Sequence, residues 1–195
     1  MCATPRCKNG GVCITLVNDY RCHCRQRFAG RECELNLACN TSSALGMEDG
    51  TIPDQQLSAS STHNDMYLPA YGRLNFRANV SYNRGSWAAK TNDVNQWFQV
   101  DLGNLAKVTG VATQGWAYIG IHYMREWVRS YSLQYSVDNS TYEDYEKGKI
   151  FSGNSDQNTV VKNDVNPAII ARYIRLRPKA WYGHITMRVE LYGCK

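Results

Sequence analysis

Six of the eight cysteines fall between residues 2 and 33, and the other two bracket nearly everything that follows. The first group runs C-x4-C-x5-C-x8-C-x-C-x8-C through Cys2, Cys7, Cys13, Cys22, Cys24 and Cys33. A stretch of about 30 residues cannot bury enough apolar surface to hold itself together, so crosslinks must stand in for a core. The outer pair, Cys39 and Cys194, would close a loop of about 155 residues, worth roughly 5 kcal/mol of chain entropy before native strain. A zinc site would want paired C-x2-C knuckles, whereas the closest spacing here is the single C-x-C of Cys22 and Cys24. The set is even and points to disulfides in an oxidising, extracellular setting. Three sequons, at Asn40, Asn79 and Asn139, are candidate glycosylation sites and agree with secretion.

The cysteines divide the chain into a module at 1–34, a short linker at 35–38 and a domain at 39–194. The domain is long enough to bury a proper core. No apolar run approaches the ~18 residues of a membrane span, and no secretory h-region precedes Cys2, so any signal is expected outside this stretch. The net charge of +5 is spread thinly. Residues 1–34 hold six Lys/Arg against three Asp/Glu, and the remainder holds sixteen against fourteen. Neither part has the basic stripe that nucleic-acid binding needs.

In the first module Gly10-Gly11 precede Cys13, Tyr20 lies two residues before Cys22, and Phe28 and Gly30 stand in the last cysteine loop. With the cysteine spacing, these residues resemble an EGF-like domain. The resemblance implies bridges Cys2–Cys13, Cys7–Cys22 and Cys24–Cys33, one choice among the many that six cysteines allow. Alternation over residues 12–15 and 20–22 suits that family's small hairpin. Thr15 stands where a calcium-binding version would carry Asp or Asn, so no calcium is expected. The module is expected to act as a spacer.

Strand signals dominate the second part. Tyr131, Leu133, Tyr135 and Val137 alternate with serines and Gln134, and Asp138-Asn139-Ser140 supplies a turn. Phe98, Val100 and Leu102 alternate until Gly103, where the strand is expected to stop. Ile174 and Leu176 alternate until Pro178, and Met187, Val189 and Leu191 run toward Cys194. The stretch 108–113 is apolar or small throughout, as expected of a strand covered on both faces. No window has a 3.6-residue period, so the fold is expected to be a β-sandwich or barrel.

The stretches Leu45-Gly46-Met47-Glu48, Leu57-Ser58-Ala59-Ser60-Ser61, Trp97-Phe98-Gln99-Val100-Asp101-Leu102-Gly103, Thr113-Gln114-Gly115, Tyr131-Ser132-Leu133-Gln134-Tyr135-Ser136, Arg172-Tyr173-Ile174-Arg175-Leu176 and Met187-Arg188-Val189-Glu190-Leu191-Tyr192-Gly193-Cys194 resemble the discoidin, or coagulation factor V/VIII type C, domain. A preceding EGF module is the arrangement of lactadherin-like and related endothelial matrix proteins. The resemblance implies an all-β, eight-stranded jelly-roll barrel, with Cys39–Cys194 joining the termini at one end and three loops at the other. It further implies an adhesion protein whose loops meet an anionic phospholipid such as phosphatidylserine.

The loops correspond to residues 62–72, 79–87 and 116–120. The expected contact residues are Met66, Tyr67, Leu68, Tyr71, Arg84, Trp116, Tyr118 and Ile119, with Trp87 and Trp97 assigned to the core. A rival reading is protein or glycan recognition by the same loops. An arginine-tailed peptide pocket, as in neuropilins, would use Asn92 or Asp93 ahead of Trp97. An aromatic rim of Tyr71, Trp116, Tyr118 and Tyr123 would instead stack on a sugar or protein surface. Catalysis is not expected. His23, His63, His122 and His184 hold no fixed spacing to a nucleophile, and no nucleophile elbow, zincin helix or phosphate loop occurs. No cofactor or metal is expected; a calcium site missed by this reading would lie among Glu48, Asp49 and Asp54.

Overall fold

The computed structural model describes residues 2, 6–25, 27–36, 38, 41–79, 81–117 and 125–194. In the first module β1 (Val12–Leu16) and β2 (Asp19–His23) form a hairpin that sets Cys13 opposite Cys22. The bridges Cys2–Cys13, Cys7–Cys22 and Cys24–Cys33 are all present. A second pair, β3 (Phe28–Ala29) and β4 (Leu35–Asn36), carries the module's hydrogen bonding into the expected linker. Cys39, and with it the expected Cys39–Cys194 bridge, lies outside the described residues.

The second part is a jelly-roll sandwich built from β5 (Ser43–Ala44), β6 (Leu57–Ala59), β7 (Trp87–Ala88), β8 (Phe98–Gln114), β9 (Trp127–Ser136), β10 (Glu143–Asp144), β11 (Ile150–Ser152), β12 (Val161–Tyr182) and β13 (Thr186–Cys194). The order is β10-β9-β12-β8-β13-β5, with β11 on β9, β6 on β8 and β7 on β13, so nine described strands form an open sheet rather than a closed barrel. Two long strands fold this sheet into layers. The first half of β8 pairs with β6 and the second half with β13, while β12 lies beside β8 at both ends. Register shifts in β12 between Asp164 and Ile169, and between Ala171 and Tyr173, let it turn from one layer to the other.

Gly103 bends the chain instead of ending the strand. It takes φ +78°, where an L side chain is strained, and its N–H donates to Asp101 Oδ1 (2.8 Å). Arg172 clamps the same carboxylate with two donors at 2.7 and 2.8 Å. Pro178 likewise does not stop β12, which continues to Tyr182 after a register shift.

The core lies between the layers and holds Trp87, Phe98, Val100, Leu133, Ile174, Leu176, Met187, Val189 and Leu191. Alternation on β13 hides a second buried face. Glu190 is fully buried and accepts the backbone N–H groups of Met47, Glu48 and Leu191 at 2.9–3.1 Å. Trp87 is core as expected, but Trp97 is only half-buried and stacks under the Arg175 guanidinium, 4.1 Å from its ring. No helix among the described residues is long and apolar enough to cross a membrane.

Candidate binding face

Three loops, two of them within the β6–β7 connection, meet at one end of the sandwich. The first, between β6 and β7, is tied at its start by Trp87 Nε1, which donates to Ser61 O (2.9 Å). Two 3-10 turns, Asp65–Tyr67 and Pro69–Tyr71, then keep it close to the body, with Asn64 capping the first through Met66 N (2.9 Å). The second loop joins it where Arg84 N donates to Met66 O (2.9 Å). A Cβ on Gly85 would come within 2.6 Å of Ala117 Cβ, so the second loop also presses on the third. The third connection, between β8 and β9, closes at its base where Trp116 N donates to Glu126 O (2.9 Å).

These contacts decide where the expected residues go. Tyr67, Ala88 and Trp116 form a buried cluster of their own, with Met66 packed against it. Trp116 is fully buried and therefore does not belong to an exposed aromatic rim, as the sequence suggested; the first loop folds over its indole. Tyr67 is also buried, and Met66, Leu68 and Tyr71 are half-buried. Tyr118, Ile119 and Tyr123 lie outside the described residues. Among the described residues here, the large apolar one most open to water is Tyr82 of the second loop, 74% exposed. Half-buried Arg84 stands two positions on, and its guanidinium makes no hydrogen bond or ion pair among the described residues.

The expected peptide-pocket acids are committed elsewhere. Asn92 accepts from Ile185 N (2.8 Å) and donates to Gly183 O (3.2 Å). Asp93 accepts from Thr91 Oγ1, Asn95 N and Gln96 Nε2 within its own loop, and these bonds lower its pKa, the one from Thr91 most. Besides the exposed Asp65 of the first loop, Glu126 brings a carboxylate to this face. With His63, Tyr67, Ala88 and His184 it lines a cavity of about 70 Å³. Burial pushes the Glu126 carboxyl up, while His184 and then His63 act to lower it. Burial also raises Tyr67, which feels Glu126 in the same direction and Arg84 in the opposite one.

Beneath the loops, Arg188 of β13 is nearly inaccessible to water. It donates to Gly115 O (2.9 Å), Gln157 O (2.9 Å) and Phe76 O (3.4 Å), fastening three connections, β8–β9, β11–β12 and β6–β7, to the sheet. Burial without a carboxylate partner lowers its guanidinium to about 10. Sequence reasoning passed over Tyr82, Glu126 and Arg188, and weighed His184 only as a catalytic base. Tyr82 lay within an expected loop, but Glu126 and Arg188 carry no local signal. Of the acids considered for calcium, Asp54 pairs with Arg73 (2.5 Å) and Glu48 accepts from Asn75 Nδ2 (2.8 Å). Among the described residues no cluster of three or more His, Cys, Asp or Glu is placed to hold a metal. Asn79 and Asn139 are both exposed, and Asn40 lies outside the described residues.

A profile of the F5/8 type C domain matches residues 56–191, and one of the EGF-like domain matches residues 2–32. Lactadherin of Bos taurus is 38% identical over 183 residues, covering 89% of this chain and 41% of lactadherin. EGF-like repeat and discoidin I-like domain-containing protein 3 of Homo sapiens is 40% identical over 204 residues, covering 100% of this chain and 40% of that protein. The chain thus spans about two fifths of these curated relatives. Recombinant discoidin II of Dictyostelium discoideum superposes with a TM-score of 0.64 at 29% identity, over 71% of this chain and 55% of its own.

Proposed function

Because the chain belongs to the F5/8 type C family and carries an EGF-like domain ahead of that fold, we propose that it is an extracellular, non-enzymatic recognition protein whose loop end docks on an anionic phospholipid surface. The observation carrying this reading is the second loop, which offers Tyr82 to solvent two positions before Arg84, a cation with no hydrogen bond or ion pair among the described residues. An apolar side chain beside a free cation suits the interface of an anionic bilayer, with the ring among the acyl chains and the cation at the headgroups. The third loop adds Tyr118, Ile119, Ile121 and Met124 in its sequence. Burying each such side chain contributes roughly 1.5–3 kcal/mol, so three approach the roughly 8 kcal/mol of a micromolar complex before association costs. Asp65 on the first loop opposes an anionic surface.

The packing of Met66, Tyr67 and Trp116 into the body favours a second reading, in which the same face grips a protein or a glycan without inserting. Sedimentation of the whole chain with vesicles of phosphatidylserine and phosphatidylcholine, against phosphatidylcholine alone, separates the two. The lipid reading expects binding only where phosphatidylserine is present, and a loss of tenfold or more in Tyr82→Ser at unchanged Tm. Equal recovery with both vesicles, or none with either, favours the protein or glycan reading.

A further inference from the structure

We infer that the cleft between the EGF-like module and the sandwich docks an extended segment of a partner protein in which acidic and apolar residues alternate. The acidic side chains turn to Arg21 and His23, and the apolar ones to Leu105, Val137 and Ile170. This cleft lies far from the loops that carry the membrane reading. β9 leaves the loop end at Trp127, and its ten residues, about 30 Å of strand, lead to Val137.

Few residues separate the two parts. β4 keeps Asn36 within the module, and β5 has joined the sandwich by Ser43. The hollow between them is about 610 Å³, inside the ~300–1,000 Å³ usual for ligand sites, which favour the seams between domains. Its module wall is β2 from Tyr20 onward together with Gly30 and Arg31, and its sandwich wall is Leu105, Val137 and Ile170. A second hollow of about 300 Å³ shares Ile170 and continues past Tyr135, Tyr145 and Pro167, so the apolar wall runs on beyond the cleft. Glu146, which lines that continuation, is paired with Lys149 (2.5 Å).

The two walls differ in chemistry. Arg21, His23 and Arg31 line the module side, and no Asp or Glu lines the cleft among the described residues. Asp19 holds Arg31 (2.6 Å), whereas Arg21 and His23 are exposed and make no hydrogen bond or ion pair among the described residues. Residues 1–34 as a whole carry six Lys/Arg against three Asp/Glu, so the module draws an acidic partner. Facing these cations the sandwich presents branched aliphatic side chains, of which Val137 is 60% exposed. A ligand for both walls must carry anionic groups on one side and apolar groups on the other. An extended chain does so when acidic and apolar residues alternate, because successive side chains point to opposite sides. A compact anion would leave the apolar continuation empty, and a sulfated glycan would leave the aliphatic wall uncovered.

The test pans a displayed library of random peptides on the whole chain and titrates a labelled synthetic copy of the best binder. Sequences alternating Asp or Glu with apolar residues are expected to be enriched. Arg21→Glu turns attraction into repulsion and is expected to weaken the labelled peptide by about tenfold. Val137→Ser removes an aliphatic contact and is expected to weaken it by about fivefold. Both positions are exposed, so Tm should hold in each variant. Arg21→Lys keeps the charge and should bind within about twofold of wild type. Tyr82→Ser, at the loop end, should bind the peptide as wild type does. That pattern without vesicle binding keeps the cleft and removes the membrane reading. No enrichment of alternating sequences, or binding that survives both Arg21→Glu and Val137→Ser, overturns the inference. So does a heparin fragment that displaces the peptide and binds more tightly, since the cations would then serve a sulfated glycan. A wild-type dimer that Val137→Glu takes apart overturns it too, because the occupant would be a second copy of the chain.

Discussion

The two parts of this chain hold their shape by different means. Among the described residues between 2 and 36, only Tyr20, Cys22 and Cys33 form a buried cluster, and the residues packed against it are the other four cysteines and Phe28. Apolar side chains on the same hairpin stay outside: Val12, Ile14, Leu16 and Val17 are all exposed. The sandwich instead fills its interior with aromatic and branched side chains from both layers. Covalent closure frees a module from having to bury its apolar residues, whereas a sandwich must account for nearly every one. A change of packing should therefore be felt in the sandwich, and a change of linkage in the module.

The largest expected effects test that division. Trp87→Ala should cost the sandwich about 3–5 kcal/mol, because the indole is fully buried and its Nε1 bond to Ser61 O is lost as well. Replacing Cys7 and Cys22 together by Ser should cost the module about 2–5 kcal/mol. Calorimetry and limited proteolysis should show each change confined to its own part. If the cysteine change lowered the sandwich's melting temperature as far as Trp87→Ala does, the two parts would be one cooperative unit and the contrast would fail.

A smaller effect probes a polar group inside the sandwich. Glu190 accepts three backbone N–H groups, so Glu190→Gln puts an amide donor among donors and should cost roughly 1–3 kcal/mol by chemical denaturation. No change among the module's exposed residues should approach that.

That buried glutamate also marks where the sequence stopped being legible. Period-two alternation located most of β9 and β13, the start of β8 and a central stretch of β12, because each strand's apolar side faces the core. Alternation reports one face, however, and says nothing about loops that cover the other, so Arg188 and Glu190 looked like surface. Gly103 and Pro178 have local chemistry that ordinarily ends a strand, yet neighbouring strands carry both through: Arg172 clamps the bend at Asp101, and Pro178 sits within β12 opposite Tyr131. The module's pairing could be named through its cysteine spacing, since the bridges are its structure. The loop end was legible as a place but not as an arrangement. Whether Trp116 points out or in depends on the first loop, far away in sequence, and Glu126 gains meaning only beside His63 and His184.

Acid should separate the parts more finely. Burial acts to raise Asp101, but the Arg172 and Gly103 hydrogen bonds outweigh it and hold the carboxyl below the usual range. The folded carboxyl thus ionises at lower pH than an unfolded aspartate. Its stabilising contribution is complete above the ordinary carboxylate range and is lost as pH falls through the lowered value. Discounted for the partly exposed guanidinium, it amounts to roughly 1 kcal/mol. Asp101→Asn should therefore lower the sandwich's stability at neutral pH and flatten its acid limb, with no change in the module. A parallel drop at every pH would mean that the Gly103 bend, and not the charge, carries the effect.

The smallest expected effect lies at the loop end, where neither bridges nor core packing decide the outcome. Arg84→Ala leaves the backbone bond to Met66 O in place and removes a guanidinium that makes no hydrogen bond or ion pair among the described residues, so stability should hold within measurement. Near an anionic bilayer one such cation contributes about 1 kcal/mol, roughly fivefold in affinity, at low ionic strength. Salt shortens the screening length from about 30 Å at 0.01 M to about 8 Å at 0.15 M, so the difference between variant and wild type should narrow as salt is added. Tyr82→Ser should lose more affinity and keep its deficit across the same range, because apolar transfer is not screened. Vesicle titrations of both variants at two salt concentrations measure this directly. A salt-independent loss in Arg84→Ala would mean that the guanidinium acts through the shape of the second loop and not through its charge.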